Sequence, residues 1–145
     1  MSKYAQGIFN PKNPDKYIGK GSIRYRSSWE LTFMNMCDNH PHIKQWASES
    51  IRIPYQNPFT GKNTIYVPDF FIVYEDQTGH SHQELIEIKP SKEITMESAR
   101  SYRDKLAVTL NHAKWNAAFN WCERVGIKFR VVSENDIFYQ GKRKK

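Results

Sequence analysis

The chain reads as an α/β (α+β) domain with a mixed β-sheet flanked by helices, and three observations carry that reading. Apolar residues recur at steps of three or four in two places, from Trp29 to Cys37 and from Leu106 to Trp121. Apolar runs of strand length, some alternating with polar residues, appear in "SIRIPY", "YVPDFFIVY", "ELIEIK" and "IKFRVV". The resulting order of helix, three strands, long helix and strand returns the last strand to the sheet after a helix. A chain of 145 residues, 14% of them aromatic, holds enough bulky apolar material for one core.

The elements follow in order. Residues 1–26 are rich in Gly, Pro, Asn, Lys and Tyr without a sustained period, and read as a basic N-terminal arm. Residues 27–140 form the folded domain and 141–145, "GKRKK", a basic tail. At "SSWELTFMNMCDN", Ser27 or Ser28 caps a helix carrying Trp29, Phe33, Met36 and Cys37. "SIRIPY" is a strand and "NPFTGKN" a turn cluster. Residues 67–74 and 83–89, joined by the polar loop "EDQTGHSH", form an antiparallel hairpin. Residues 95–125 are helical, with a break expected near Tyr102 to Asp104 and a stop at Gly126. The last strand has Ile127, Phe129 and Val131 on one face and Lys128 and Arg130 on the other.

Charge and cysteine content narrow the function. Lys and Arg number 22 against 15 Asp and Glu, a net charge of +7. The first 28 residues hold Lys3, Lys12, Lys16, Lys20, Arg24 and Arg26 against Asp15 alone. Basic ends around a near-neutral middle suit a polyanion such as nucleic acid, or else a solubilising surface. No apolar run reaches the ~18 residues of a membrane span, and no signal segment opens the chain. A membrane is therefore not an expected partner, and the expected location is cytoplasmic. Cys37 and Cys122 each lie in an apolar helical pattern, which suits reduced core thiols. Cys37, His40 and His42 lack a second pair at zinc spacing, so zinc is rejected.

The chemistry concentrates in "YVPDFFIVYEDQTGHSHQELIEIKP". Leu85, Glu87 and Lys89 share one face of their strand while Ile86 and Ile88 take the other. If Tyr74 lies opposite Gln83, Asp69 falls opposite Ile88, and a slip of one residue brings it to Glu87 or Lys89. Each of these registers gathers an Asp, a Glu and a Lys at the hairpin end away from its turn. Burying such charges is unfavourable by several kcal/mol, order of magnitude, unless something compensates. A hard cation such as magnesium does so, and a nearby ammonium can orient a water or neutralise charge developing on phosphorus. A lone sheet-end ion pair of Lys89 with either acid is the plainer account. Trp115 and Trp121 are expected in the core, and His80 and His82, in the turn, carry no expected role.

In "VPDFFI" and "IEIK" the chain resembles the PD-(D/E)xK nuclease superfamily, with Asp69, Glu87 and Lys89 at the motif positions. That superfamily places a further acid on the preceding helix, where "SSWE" has Glu30, although Ser27 to Glu30 also spells a capping box. "YAQGIFNP", "KYIGKGSIRYRSSWELTFM", "QWASESIRIPYQNP", "LIEIKP" and "GIKFRVVSENDIF" are similar to the head-completion nucleases of T-even-type tailed phages. The order "SxxE", "PDF" and "xIK" is more distantly similar to the endonuclease subunit of a cut-and-paste transposon.

The resemblance implies a restriction-endonuclease-like core and a magnesium-dependent DNA endonuclease, with manganese as substitute, leaving 5'-phosphate ends. It implies Asp69, Glu87, the Ile88 backbone carbonyl and Glu30 as cation ligands, with Lys89 positioning the attacking water. Lys20, Arg24 and Arg26 in the arm are expected to hold flanking phosphates, and Arg100, Arg103 and Lys114 to line a DNA groove unless they form a solvated helix face. The biology implied is completion of the DNA-filled head in the cytoplasm of an infected bacterium or on the virion, with portal or head proteins as partners. A homodimer cutting both strands is compatible with it. A structural head-completion protein, or a nuclease subunit that needs a partner, fits the same residues.

Overall fold

A computed structural model describes residues 6–136. Its centre is a four-stranded sheet in the order β3-β6-β7-β8, formed by Ile43–Ser48 (β3), Phe70–Glu75 (β6), Ser81–Ile88 (β7) and Lys128–Val132 (β8). β6 is antiparallel to both of its neighbours, β3 and β7, whereas β8 joins β7 in parallel, so the sheet is mixed. The parallel pair is connected through α2 (Tyr102–Val125), as parallel strands require a crossover.

Alternation along the strands sends side chains to two cores. Phe70, Ile72, Ile86, Ile88 and Val132 pack with Phe33, Met34 and Cys37 of α1 (Ser28–Asn39) and with Trp46. Phe71, Leu85, Phe129 and Val131 pack instead with Trp115, Ala118 and Cys122 of α2. On that second face lies a hairpin of β4 (Ile53–Gln56) and β5 (Asn63–Tyr66), which contributes Ile53 and Tyr66. The restriction-endonuclease-like mixed sheet flanked by helices is thus present. Both cysteines are buried free thiols, and Trp115 and Trp121 belong to or pack on the core.

The helices end where their capping residues dictate. Ser27 Oγ accepts the Glu30 amide at 3.1 Å, and α1 begins at Ser28. α2 begins at Tyr102 rather than at residue 95, because Ser101 Oγ accepts the Asp104 amide while Asp104 Oδ2 accepts the Arg100 amide. Residues 95–101 are therefore turns. At the far end Gly126 adopts φ 79°, the left-handed conformation that closes α2.

Two segments depart from the sequence-based expectation. The lead-in is not irregular: Gly7–Phe9 (β1) and Ile23–Tyr25 (β2) form a hairpin whose Phe9 and Ile23 are buried. Between them Asp38 accepts the Lys12 and Asn13 amides, and Lys16 Nζ donates to the carbonyls of Asp38 and His40 at the end of α1. Strand β3 was not expected either. A bulge between Ile43 and Gln45 puts Ile43 and Trp46, three positions apart, on the same core and so destroys the period of two. The tail at 141–145 and residues 137–140 lie outside the described residues.

Candidate active site

The β6–β7 hairpin pairs Phe70 with Ile86 and Tyr74 with His82, one step from the register that sets Tyr74 opposite Gln83. The loop sets this offset: Asp76 Oδ1 accepts the Thr78 and His80 amides, so five residues intervene between the last pair, Glu75 and Ser81. Continued beyond Phe70, the pairing brings Asp69 level with Glu87.

There the acids replace the ladder. The Ile88 amide donates to Asp69 Oδ2 at 2.8 Å and the Asp69 amide donates to Glu87 Oε1 at 3.3 Å. Pro68 before Asp69 is fully buried and has no N–H of its own. Lys89 Nζ lies 3.6 Å from Glu87 Oε2, and the Lys89 amide is held by the Val132 carbonyl at 3.0 Å. Parity along β6 and β7 turns Asp69, Glu87 and Lys89 toward α2 and the β4–β5 hairpin.

Burial sets the electrostatics. Desolvation pushes the Asp69 carboxyl well above the usual carboxylate range, the Glu87 charge pushes it further, and Glu30 adds to it; the Ile88 amide and Lys89 oppose. Glu87 is raised by burial against the pull of Lys89, Tyr66, the Asp69 amide and Lys114. Tyr66 is pushed up by burial and then by the Glu87 charge. Its buried hydroxyl faces Glu87 and the Trp115 indole without closing a hydrogen bond in good geometry to either, so both polar atoms stay unpaired among the described residues. Two carboxylates pressed together, with Lys89 the one ammonium in salt-bridge reach among the described residues, favour a cation.

Among the described residues no three of His, Cys, Asp and Glu gather closely enough to enclose a metal by themselves. Asp69 and Glu87 with backbone oxygen nevertheless fit magnesium, which is commonly held by one or two carboxylates and keeps most of its waters. Each carboxylate also has one oxygen that accepts no hydrogen bond from the described residues.

The other expected site residues divide. Glu30 acts in the cap, its Oε1 accepting the Arg26 amide at 3.1 Å, yet its charge reaches Asp69. Arg26 pairs with Glu49, a residue at φ 50° whose amide donates to the Asp69 carbonyl. Lys20, Arg24, Arg100 and Arg103 are exposed and make no ion pair with the described acids. Lys114 is half-buried and senses the charges of Lys89, Glu87 and Asp69. Sequence reasoning missed Tyr66 and Glu134. Tyr66 lies three residues before Asp69, and Glu134 accepts the Ser91 amide and hydroxyl at 2.8 and 3.1 Å, two residues past Lys89. His80 and His82 lie at the far end of the hairpin, around Asp76.

The mixed sheet carries Asp69, Glu87 and Lys89 at one end, and residues 40–134 match the family described as TnsA-like endonuclease N terminal; the chain belongs to that family. It is also similar to the Head completion nuclease of Enterobacteria phage T4, at 34% identity over 142 residues covering 90% of this chain and 92% of that protein. The family match contains Asp69, Glu87, Lys89 and Lys114 and begins beyond α1, so Glu30 lies outside it.

Proposed function

We propose that the protein is a magnesium-dependent DNA endonuclease that leaves 5'-phosphate ends and acts in phage head completion, in the cytoplasm of the infected bacterium. The observation that carries this reading is the cross-bonded pair of Asp69 and Glu87 with Lys89 3.6 Å away, in a chain of an endonuclease family. The head-completion role rests on the 34% identical phage T4 protein. No described helix is long and apolar enough to cross a membrane.

In this mechanism Asp69, Glu87 and the Ile88 carbonyl would hold magnesium, or manganese in its place, and Glu30 would serve a second cation. The bound ion supplies Lewis acidity and a nucleophile at neutral pH. Lys89 orients the attacking water in line with the leaving 3' oxygen. Lys20, Arg24, Arg26, Arg100 and Arg103 meet flanking phosphates, which fixes position but reads no sequence. Glu87 lies beside Lys89, and its link to the Asp69 amide fixes both acids relative to the sheet.

The purified protein is incubated with plasmid, gapped duplex and branched duplex in magnesium, manganese or chelator. Metal-dependent cleavage lost in Asp69→Asn and Lys89→Ala, with DNA binding kept, is the expected result. Equal cleavage by those variants refutes the reading. Intact head assembly with Glu87→Gln assigns the assembly role to the fold rather than to cutting, and cleavage only after addition of head or portal proteins identifies a partner-dependent nuclease.

A further inference from the structure

Resting on the endonuclease reading, a second cation at the site comes from α2. Lys114 Nζ sits 5.8 Å from the centre of the Tyr66 ring and 6.0 Å from that of Tyr55. Ring faces attract an ammonium, by about 0.5–1 kcal/mol at exposed sites, and here they hold the side chain in one direction. The Tyr66 ring packs against α2 and its hydroxyl faces Glu87, so the ring that holds Lys114 also borders the acids. Lys114 nevertheless forms no salt bridge or hydrogen bond with the described residues, whereas Lys89 is already committed to Glu87 at 3.6 Å.

A half-buried ammonium has lost hydration, and an ion pair with Glu87 is the obvious way to recover it. Two tyrosine rings instead hold Lys114 beside the carboxylates without pairing. An exposed groove lysine needs no such arrangement, because bulk water solvates it and its phosphate contacts are loose. In phosphodiester hydrolysis negative charge on the non-bridging oxygens must be met by preorganised positive groups. Lys89, the residue after β7, and Lys114, on α2, flank the acid pair from different parts of the fold.

We propose that Lys114 contacts a non-bridging oxygen of the scissile phosphate and is a catalytic residue, not a groove contact to flanking DNA. Tyr66 and Tyr55 are its positioning residues.

The test uses the full chain, a duplex oligonucleotide and single-turnover cleavage at saturating protein, with affinity measured separately in chelator. Lys114→Met keeps an apolar stem on the tyrosines and removes the charge. Its cleavage rate at saturation is expected to fall about 100-fold, with affinity within about 3-fold of wild type. Lys114→Arg restores most of the rate, and thermal melting of both variants tests folding. If Lys114→Met does not fold, the ratio of Lys114→Arg to Lys114→Gln, which keeps size without charge, decides by the same criterion. Wild-type cleavage that is lost in Asp69→Asn but retained at saturation in the uncharged Lys114 variant overturns this inference alone. A wild type that cuts in neither magnesium nor manganese overturns the endonuclease reading and this inference with it.

Discussion

Asp69→Asn is expected to make the metal-free protein more stable while abolishing cleavage. The asparagine keeps an oxygen to accept the Ile88 amide, now 2.8 Å from Asp69 Oδ2, and removes a charge that burial and Glu87 both disfavour. Each unit by which folding raises a carboxyl corresponds to about 1.4 kcal/mol, and losing the charge-assisted part of the amide bond returns about 1 kcal/mol. A net gain follows, read as a melting temperature above that of the wild type. Because the folded carboxyl is raised, the wild-type penalty is absent below the unfolded value, near 3.8, and grows as pH rises through the folded one. Thermal melts of both proteins in chelator from pH 4 to pH 8 check this, and the gap should widen with pH and then level off. Added magnesium should raise the wild type, by about 1.4 kcal/mol at ten times its dissociation constant, and leave the variant nearly unmoved. A variant less stable than wild type in chelator at pH 8, or stabilised equally by magnesium, refutes the account of a charge pair awaiting a cation.

Glu30→Gln retains an acceptor for the Arg26 amide, so stability in chelator should change by less than about 0.5 kcal/mol. Its cleavage rate should drop at least tenfold if the charge that reaches Asp69 serves the reaction, and a wild-type rate assigns Glu30 to the cap alone. Glu134→Ala removes the acceptor of two Ser91 hydrogen bonds and should lower stability by about 2 kcal/mol. Because Ser91 follows Lys89 by two residues, cleavage at saturating DNA should also fall in a temperature range where circular dichroism shows the variant folded.

Legibility in the sequence tracked how strictly each element obeys its period and its caps. β6 and β7 are apolar runs of strand length, β8 alternates at its start, and α1 and the end of α2 carry Ser27 and Gly126, so these elements were readable. β3 was hidden by its bulge, and β1 and β2 by being three residues long. The start of α2 was misplaced because apolar spacing runs on through turns that only the Ser101–Asp104 box interrupts. At the site, Asp69, Glu87 and Lys89 were legible because they lie close along two adjacent strands. The environment of Lys114 was not, since it depends on how α2 packs over β4 and β5, a tertiary contact that helical spacing does not encode.

The hairpin register carries a final consequence. Asp69 and Glu87 occupy the rung after Phe70 and Ile86, and their carboxylates take the amides that strand pairing leaves there. A chain that slipped by one residue would exchange the two core faces of β7, sending Ile86 and Ile88 toward α2 and Leu85 toward α1, and would carry Asp69 off the rung it shares with Glu87. One register thus sets both the packing of the two cores and the meeting of the two acids.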